Sequence, residues 1–134
     1  MELVERKYSN YVKGYKLENS ELKKIQAYII EADQNSIGYI QIYNARDFER
    51  ENKLVNLPTN LAAIDFFLGE SEYLNNGNGL FILNTFLENF VNKEFKHILV
   101  DPDCKNIAAI KTYEKAGFKV VLKNNENYLM MKNI

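Results

Sequence analysis

A loop of glycine and asparagine, placed between an apolar strand-like segment and a helix-like one, constrains the fold of this chain most. The segment LAAIDFFL (61–68) precedes the loop Leu74–Gly79 (LNNGNG), and apolar residues then recur at 80, 83, 86, 87, 90 and 91, a helical period. Glycine and asparagine enter the left-handed region at low cost, so successive N–H groups at the helix start can converge on one anion. The glycine spacing matches neither a P-loop nor a dinucleotide fingerprint. A plain strand-to-helix turn is the alternative that the loop alone leaves open.

The bulk properties indicate one globular domain, residues 1–134. Of the 134 residues, 46% are hydrophobic and 26% are charged, which is typical of a chain that buries a core. The net charge of -1 gives no reason to expect a nucleic-acid partner. No apolar run approaches the ~20 residues of a membrane span, the N-terminus lacks an apolar signal core, and the one cysteine suits a reducing compartment. A cytoplasmic protein without a membrane partner is expected.

Hydrophobic periodicity predicts an α+β protein, with a mixed sheet and helices packed on it. A short helix is predicted over residues 2–12, and longer ones over 80–91 and from 103 or 106 to 115. Strands are predicted at 24–32, 37–45, 61–68, 96–100, 118–122 and 128–132. The run 61–68 alternates so little that both of its faces are expected to be buried. The charged segment 46–60 is interpreted as a loop.

A second motif, DPDCKNIAAIKTYEKAGF (101–118), follows the short strand 96–100. Asp103 or Asn106 is placed to cap the next helix, and Gly117 is placed to end it in a left-handed conformation. Each of these residues has a purely structural interpretation when taken alone, as does Tyr113 as a half-buried packing residue. In combination with the glycine-rich loop, they favour a ligand site.

With these motifs the chain resembles the GNAT superfamily of acetyl-coenzyme A-dependent N-acetyltransferases, and within it the bacterial aminoglycoside 6'-N-acetyltransferases. The matching strings are IGYIQIYNA (37–45), AIDFFLGESEYLNNGNGL (63–80), ILVDPDCKNIAAIKTYEKAGFKVV (98–121) and the closing NYLMMK. The resemblance implies a GNAT-like fold, in which a mostly antiparallel twisted sheet is flanked by helices and two splayed strands form a V-shaped acetyl-coenzyme A cleft. It also implies acetyl transfer to a primary amine of a small cationic acceptor, with the 6'-amine of an aminoglycoside antibiotic as the expected acceptor and no metal as a cofactor.

The resemblance assigns the acetyl-coenzyme A site to two stretches of the chain. Backbone N–H groups of the loop and helix start would wrap the pyrophosphate: Leu74, Asn75, Asn76, Gly77, Asn78, Gly79 and Leu80. The backbone of Phe67 and Leu68 would pair with the pantetheine arm as an added strand does. Asn106 would hydrogen-bond that arm, Ala109 belongs to the same site, and Tyr113 would protonate the departing thiolate.

The acceptor site is expected around Asp65, a carboxylate within an apolar strand, where it is costly unless it has a function or a partner. Asp65 matches an acidic residue near the substrate amine in the resembled enzymes, where it would orient the ammonium and accept its proton. A buried structural salt bridge is the alternative. Glu49, Glu51 and Asp101 are further candidates for contacts with a polycationic acceptor, with solvated loop charges as the alternative.

Two departures from the family pattern bear on these predictions. Asn75 and Asn76 stand where the family commonly has glycine and lysine or arginine, so coenzyme A binding is expected to be weaker but present. The strand and helix with which the family begins have no counterpart ahead of the predicted helix 2–12. Strand 24–32 would then present an open sheet edge, which favours a homodimer. Two other functions therefore stay open: acetylation of another amine (a polyamine, a siderophore or a protein), or a shortened, non-catalytic acyl-coenzyme A-binding module.

Overall fold

A seven-stranded sheet organises the molecule, with strand order β1-β2-β3-β4-β5-β7-β6. The computed structural model describes residues 2–5, 25–47, 54–69, 77–91 and 93–134. Neighbouring strands are antiparallel except for β4 and β5, which are parallel. The predicted α+β mixed sheet is confirmed. The elements are β1 (Glu2–Glu5), β2 (Ile25–Ala32), β3 (Asn35–Asn44), a 3-10 turn (Ala45–Asp47), β4 (Leu61–Leu68), α1 (Asn78–Asn89), β5 (His97–Val100), α2 (Ile107–Lys115), β6 (Lys119–Lys123) and β7 (Tyr128–Asn133).

The first described element corrects the predicted helix over residues 2–12, because Glu2–Glu5 form a strand. This strand, β1, lies antiparallel to β2 along Tyr28–Glu31. A helix of so few residues is marginal in water, whereas an extended segment gains ladder hydrogen bonds from β2. The prediction of an open edge is therefore wrong along Tyr28–Glu31, and the reason for expecting a dimer there is removed. Residues 6–12 lie outside the described residues.

Both helices pack on one face of the sheet. The crossovers β4–α1–β5 and β5–α2–β6 each join parallel strands and advance across the sheet in the same direction, so right-handed connections put both helices on the same side. From α1, Phe86 meets Tyr28 edge-to-face at 5.4 Å between ring centroids. From α2, Tyr113 meets Phe118 in the same way at 5.6 Å. Within the described ranges, no helix is long and apolar enough to cross a membrane.

The segment that follows β3 covers part of the opposite face. Leu54 and Leu57 pack there against a buried cluster that includes Leu61. Arg46 holds this segment in place, because its guanidinium donates hydrogen bonds to the carbonyl oxygens of Leu54 at 3.0 Å, Leu57 at 2.5 Å and Pro58 at 2.9 Å. One side chain thus satisfies three backbone acceptors of a segment that has no regular secondary structure.

Replacing Arg46 with lysine is expected to destabilise the protein although the charge is kept. An ammonium group cannot reproduce the planar fork that reaches several carbonyl oxygens at once, so we expect a loss on the order of 1 kcal/mol of unfolding free energy. Urea denaturation would measure it. The exposed, charge-conserving change Lys111→Arg is the matched control and should leave the midpoint unchanged. Equal midpoints for Arg46→Lys and the parent protein would show that the hydrogen bonds of the guanidinium contribute nothing to stability.

Candidate functional site

A V-shaped opening forms where β4 separates from β5. The two strands pair only over Leu61–Ala63 and His97–Leu99, while β4 continues to Leu68 against β3. Beyond Ala63, alternate peptide groups of β4 therefore have no strand on their second side. The divergence also limits burial: the first four residues of β4 are buried, whereas residues 65–68 are half-buried or exposed. The prediction that both faces of 61–68 are buried is thus wrong for the second half of the strand.

Two cavities meet at this V. The first, which we term the helix-side cavity, measures about 320 Å³ and lies between the end of β4 and α2. The second, which we term the acid-side cavity, measures about 330 Å³ and contains Asp65 and Asp101 in its wall. The residues that line both are Phe66, Phe67, Asn106, Ala109 and Tyr113.

The start of α1 presents backbone N–H groups that no side chain of the described residues caps. Gly77 is the N-cap residue, at a left-handed φ of 75°, and α1 has no acidic residue in its first turn. Gly79, in that turn, lines the helix-side cavity. Uncapped N–H groups and the positive end of the helix dipole are the arrangement of an anion site. Leu74, Asn75 and Asn76, which were predicted to complete that site, lie outside the described residues.

Asn106 has both a capping role and a place in the site. It is the N-cap of α2, and its Oδ1 accepts a hydrogen bond from the backbone N–H of Ala109 at 3.1 Å. Asn106 lines both cavities, and its amide nitrogen, which the cap does not use, can donate a hydrogen bond. Asp103, the other candidate cap, instead accepts from the N–H of Lys105 at 2.8 Å in a local turn.

Tyr113 carries a strongly shifted ionisable group. Its side chain is 8% exposed, yet it lines both cavities. Burial, reinforced by the negative charges of Asp101 and Asp65, raises the pKa of the Tyr113 phenol well above its ordinary value of 10.0. The phenol therefore keeps its proton at neutral pH and is available as a hydrogen-bond and proton donor.

Asp65 is half-buried in the wall of the acid-side cavity. Its Oδ2 accepts a hydrogen bond of 2.8 Å from Nε2 of Gln41, the residue directly opposite it in the β3–β4 ladder. Gln41 was not predicted from the sequence. Within the described ranges Asp65 has no ion pair with a basic side chain, so the alternative of a structural salt bridge gains no support there. Glu49 and Glu51 lie outside the described residues.

An aromatic pair stands beside Asp65 on the same face of the sheet. The rings of Tyr39 and Phe67 lie 5.9 Å apart at an interplanar angle of 32°, and their side chains are 37% and 55% exposed. Both residues line the acid-side cavity. The family resemblance implied only a backbone role for Phe67. The signal for the pair is the cross-strand register that places Tyr39 opposite Phe67.

Comparison with known proteins gives a family and a set of similar structures. A family model described as an acetyltransferase (GNAT) domain matches residues 5–124. The aminoglycoside acetyltransferase AAC(6')-Ib in complex with coenzyme A and kanamycin is 27% identical, with a TM-score of 0.70 over 83% of this chain and 67% of that one. The PaiA N-acetyltransferase from Thermoplasma acidophilum, in complex with coenzyme A, shares the fold at 21% identity and a TM-score of 0.62, over 82% of this chain and 61% of that one. The chain thus spans about two thirds of the length of the structures that it matches.

Proposed function

The chain belongs to the GNAT acetyltransferase family, and on that premise we propose that it transfers the acetyl group of acetyl-coenzyme A to a primary amine of a small cationic acceptor, the 6'-amine of an aminoglycoside. The observation that carries this proposal is the meeting of two cavities at the V, with Tyr113 in the wall of both. A thioester held on one side and an amine held on the other would then react beside a buried phenol.

The helix-side cavity fits the coenzyme. The uncapped start of α1, at Gly77, Asn78, Gly79 and Leu80, suits a pyrophosphate. The open side of β4 at Phe67 and Leu68 offers peptide groups to an amide-containing arm, and Asn106 and Ala109 face the same space. Structures similar to this chain contain coenzyme A or acetyl-coenzyme A. When bound, acetyl-coenzyme A supplies an acetyl group activated as a thioester.

Asp65 would prepare the acceptor. An alkylammonium must lose a proton before its nitrogen can attack a carbonyl carbon, and the Asp65 carboxylate can attract the cation and take that proton. Asp101, in the wall of the same cavity, would add to the negative field that draws a cation in. After the reaction Asp65 returns its proton to solvent. Backbone N–H groups on the open side of β4 would stabilise the negative charge that develops on the carbonyl oxygen.

Tyr113 would assist the leaving group. As the carbon–nitrogen bond forms and the carbon–sulfur bond breaks, the phenol donates its proton to the sulfur and regains one from the nitrogen that becomes an amide. The raised pKa of the phenol ensures that the proton is present at neutral pH. One ammonium and one thioester thus yield one amide, one thiol and one proton.

The exposed aromatic pair favours a ring-shaped acceptor over a linear polyamine. Tyr39 and Phe67 offer ring faces beside the Asp65 carboxylate, and aromatic faces suit the C–H-rich face of a sugar as well as a nearby cation. An amino sugar combines these two features. Structures of AAC(6')-Ib, which are similar to this chain, contain kanamycin, ribostamycin or paromomycin.

An amine screen read by release of free thiol from acetyl-coenzyme A would test the proposal. Turnover is expected with aminoglycosides that carry a 6'-amine and is expected to be absent with matched compounds that carry a 6'-hydroxyl. Turnover only with spermidine, siderophore amines or lysyl peptides would show that the acceptor is one of these amines and not an aminoglycoside. Calorimetric binding of coenzyme A without thiol release from any amine would indicate a non-catalytic acyl-coenzyme A-binding module.

A further inference from the structure

Gln41 is the one polar or charged side chain that is buried in the part of the chain that the structure describes, at 8% exposed. It lies in the middle of β3 between Ile40 and Ile42, whose side chains belong to the buried cluster between the sheet and the two helices. A buried amide with an unmet hydrogen-bonding atom destabilises a fold relative to an apolar side chain of similar size. Packing alone therefore gives no reason for an amide at this position.

The contact that Gln41 makes leads to the acceptor site. Its Nε2 donates to Oδ2 of Asp65 at 2.8 Å from the directly opposite position of the ladder. An amide nitrogen only donates, so it pairs with a carboxylate oxygen, which accepts. It also fixes one carboxylate oxygen and leaves the other, Oδ1, for a cation in the acid-side cavity.

The second amide atom of Gln41 has no such contact. Its Oε1 is buried and has no hydrogen-bond partner within the described residues. If Asp65 takes up a proton, a half-turn of the amide presents Oε1 as an acceptor to the new O–H group. A glutamine can therefore pair with Asp65 in both of its protonation states, which an apolar residue or a lysine cannot do.

We infer that Gln41 is the positioning residue of the acceptor site, holding Asp65 with one oxygen toward the acid-side cavity and remaining paired with it when it takes the ammonium proton. This inference rests on the proposed function, because it requires Asp65 to act on an amine. Among the described residues, the other ionisable groups that line the cavity of Asp65 are Asp101, Tyr113 and Tyr39. These three groups are unchanged in a Gln41 variant, so a change in the NMR signal of the Asp65 carboxyl would result from the loss of Gln41.

The variant Gln41→Met, made in the full chain, tests this inference because it nearly keeps the side-chain volume and removes both amide atoms. With the best amine of the screen, kcat is expected to fall about tenfold or more, while KM for acetyl-coenzyme A is unchanged. This split between kcat and KM is expected because the Asp65 carboxylate loses the partner that holds it, while the coenzyme side of the V is untouched. The melting temperature should not fall.

Ile42→Val is the matched control on the same strand, since it trims a buried side chain on the helix-side face. It should lower the melting temperature and leave kcat unchanged. The NMR signal of a ¹³C-labelled Asp65 carboxyl at neutral pH gives a readout that needs no turnover, and its chemical shift should differ between Gln41→Met and the parent protein because the hydrogen bond is lost. An unchanged chemical shift, or an active parent protein whose kcat Gln41→Met reproduces, would overturn the inference. Absence of turnover in the parent protein with every amine would instead contradict the proposed function.

Discussion

Replacing Tyr113 with phenylalanine is expected to lower kcat by about 10²-fold or more while coenzyme A binding is retained. Loss of a positioned proton donor typically costs an enzyme ~10²–10⁴-fold. The ring and its edge-to-face contact with Phe118 remain in the variant, so both the cavity wall and the packing are kept. Stopped-flow or steady-state assays of thiol release would measure kcat, and calorimetry would measure coenzyme A binding.

Tyr28→Phe is the control for this experiment, because it removes a hydroxyl from another buried tyrosine, 5% exposed, that packs on α1 away from the V. Its kcat should match that of the parent protein. The pH profile gives a second check on Tyr113. Since the pKa of its phenol lies above 10.0, the parent protein should show no alkaline loss of kcat from this group below about pH 10. Unchanged turnover in Tyr113→Phe would remove the phenol from the mechanism.

Replacing Asp65 with asparagine is expected to lower kcat/KM for the acceptor by about 10²-fold or more at neutral pH. Asparagine has nearly the same shape, and its Oδ1 can still accept the hydrogen bond from Gln41, so the loss reports the missing charge and proton acceptor. Asp65 lines the acid-side cavity and not the helix-side one, so KM for acetyl-coenzyme A should be unaffected. The deficit should shrink as the pH rises toward the pKa of the amine itself, because a neutral amine needs no base.

The control for Asp65→Asn is Asp103→Asn, which removes a carboxylate from an exposed turn beyond β5. Its kinetic constants should equal those of the parent protein. A deficit in Asp65→Asn that stays constant with pH would limit Asp65 to holding the cation. Full activity in that variant would exclude both roles and return Asp65 to a structural one.

The elements with strong local signals could be predicted from the sequence. β4 was predicted residue for residue, because a run of apolar residues bounded by Asn60 and Gly69 admits few alternatives. The capping of α2 by Asn106 and its termination near Gly117, at a φ of 98°, follow from short-range backbone chemistry. The shared location of Asn106, Ala109 and Tyr113 came from the family resemblance, and these residues do line the same two cavities.

The features that depend on contacts between distant segments could not be predicted. β1 has only four residues and no period of its own, and it is a strand because the edge of β2 is there to pair with it. Gln41 reads from the sequence as one polar residue in an alternating strand. Its contact with Asp65 arises only because the β3–β4 register places the two residues opposite each other, and a shift of one residue would have turned the two side chains to different faces.

The separation of the two cavities at the V has a consequence for inhibition. Because the two cavities share five lining residues, the proposed function would bring a thioester analogue in one and an amine analogue in the other close together. A compound that joins the two through a short link at the V would present its second half at an effective concentration of about millimolar once the first is bound. Such a bisubstrate compound would bind more tightly than either half. Its optimal linker length would measure the distance between the thioester analogue and the amine analogue when both are bound.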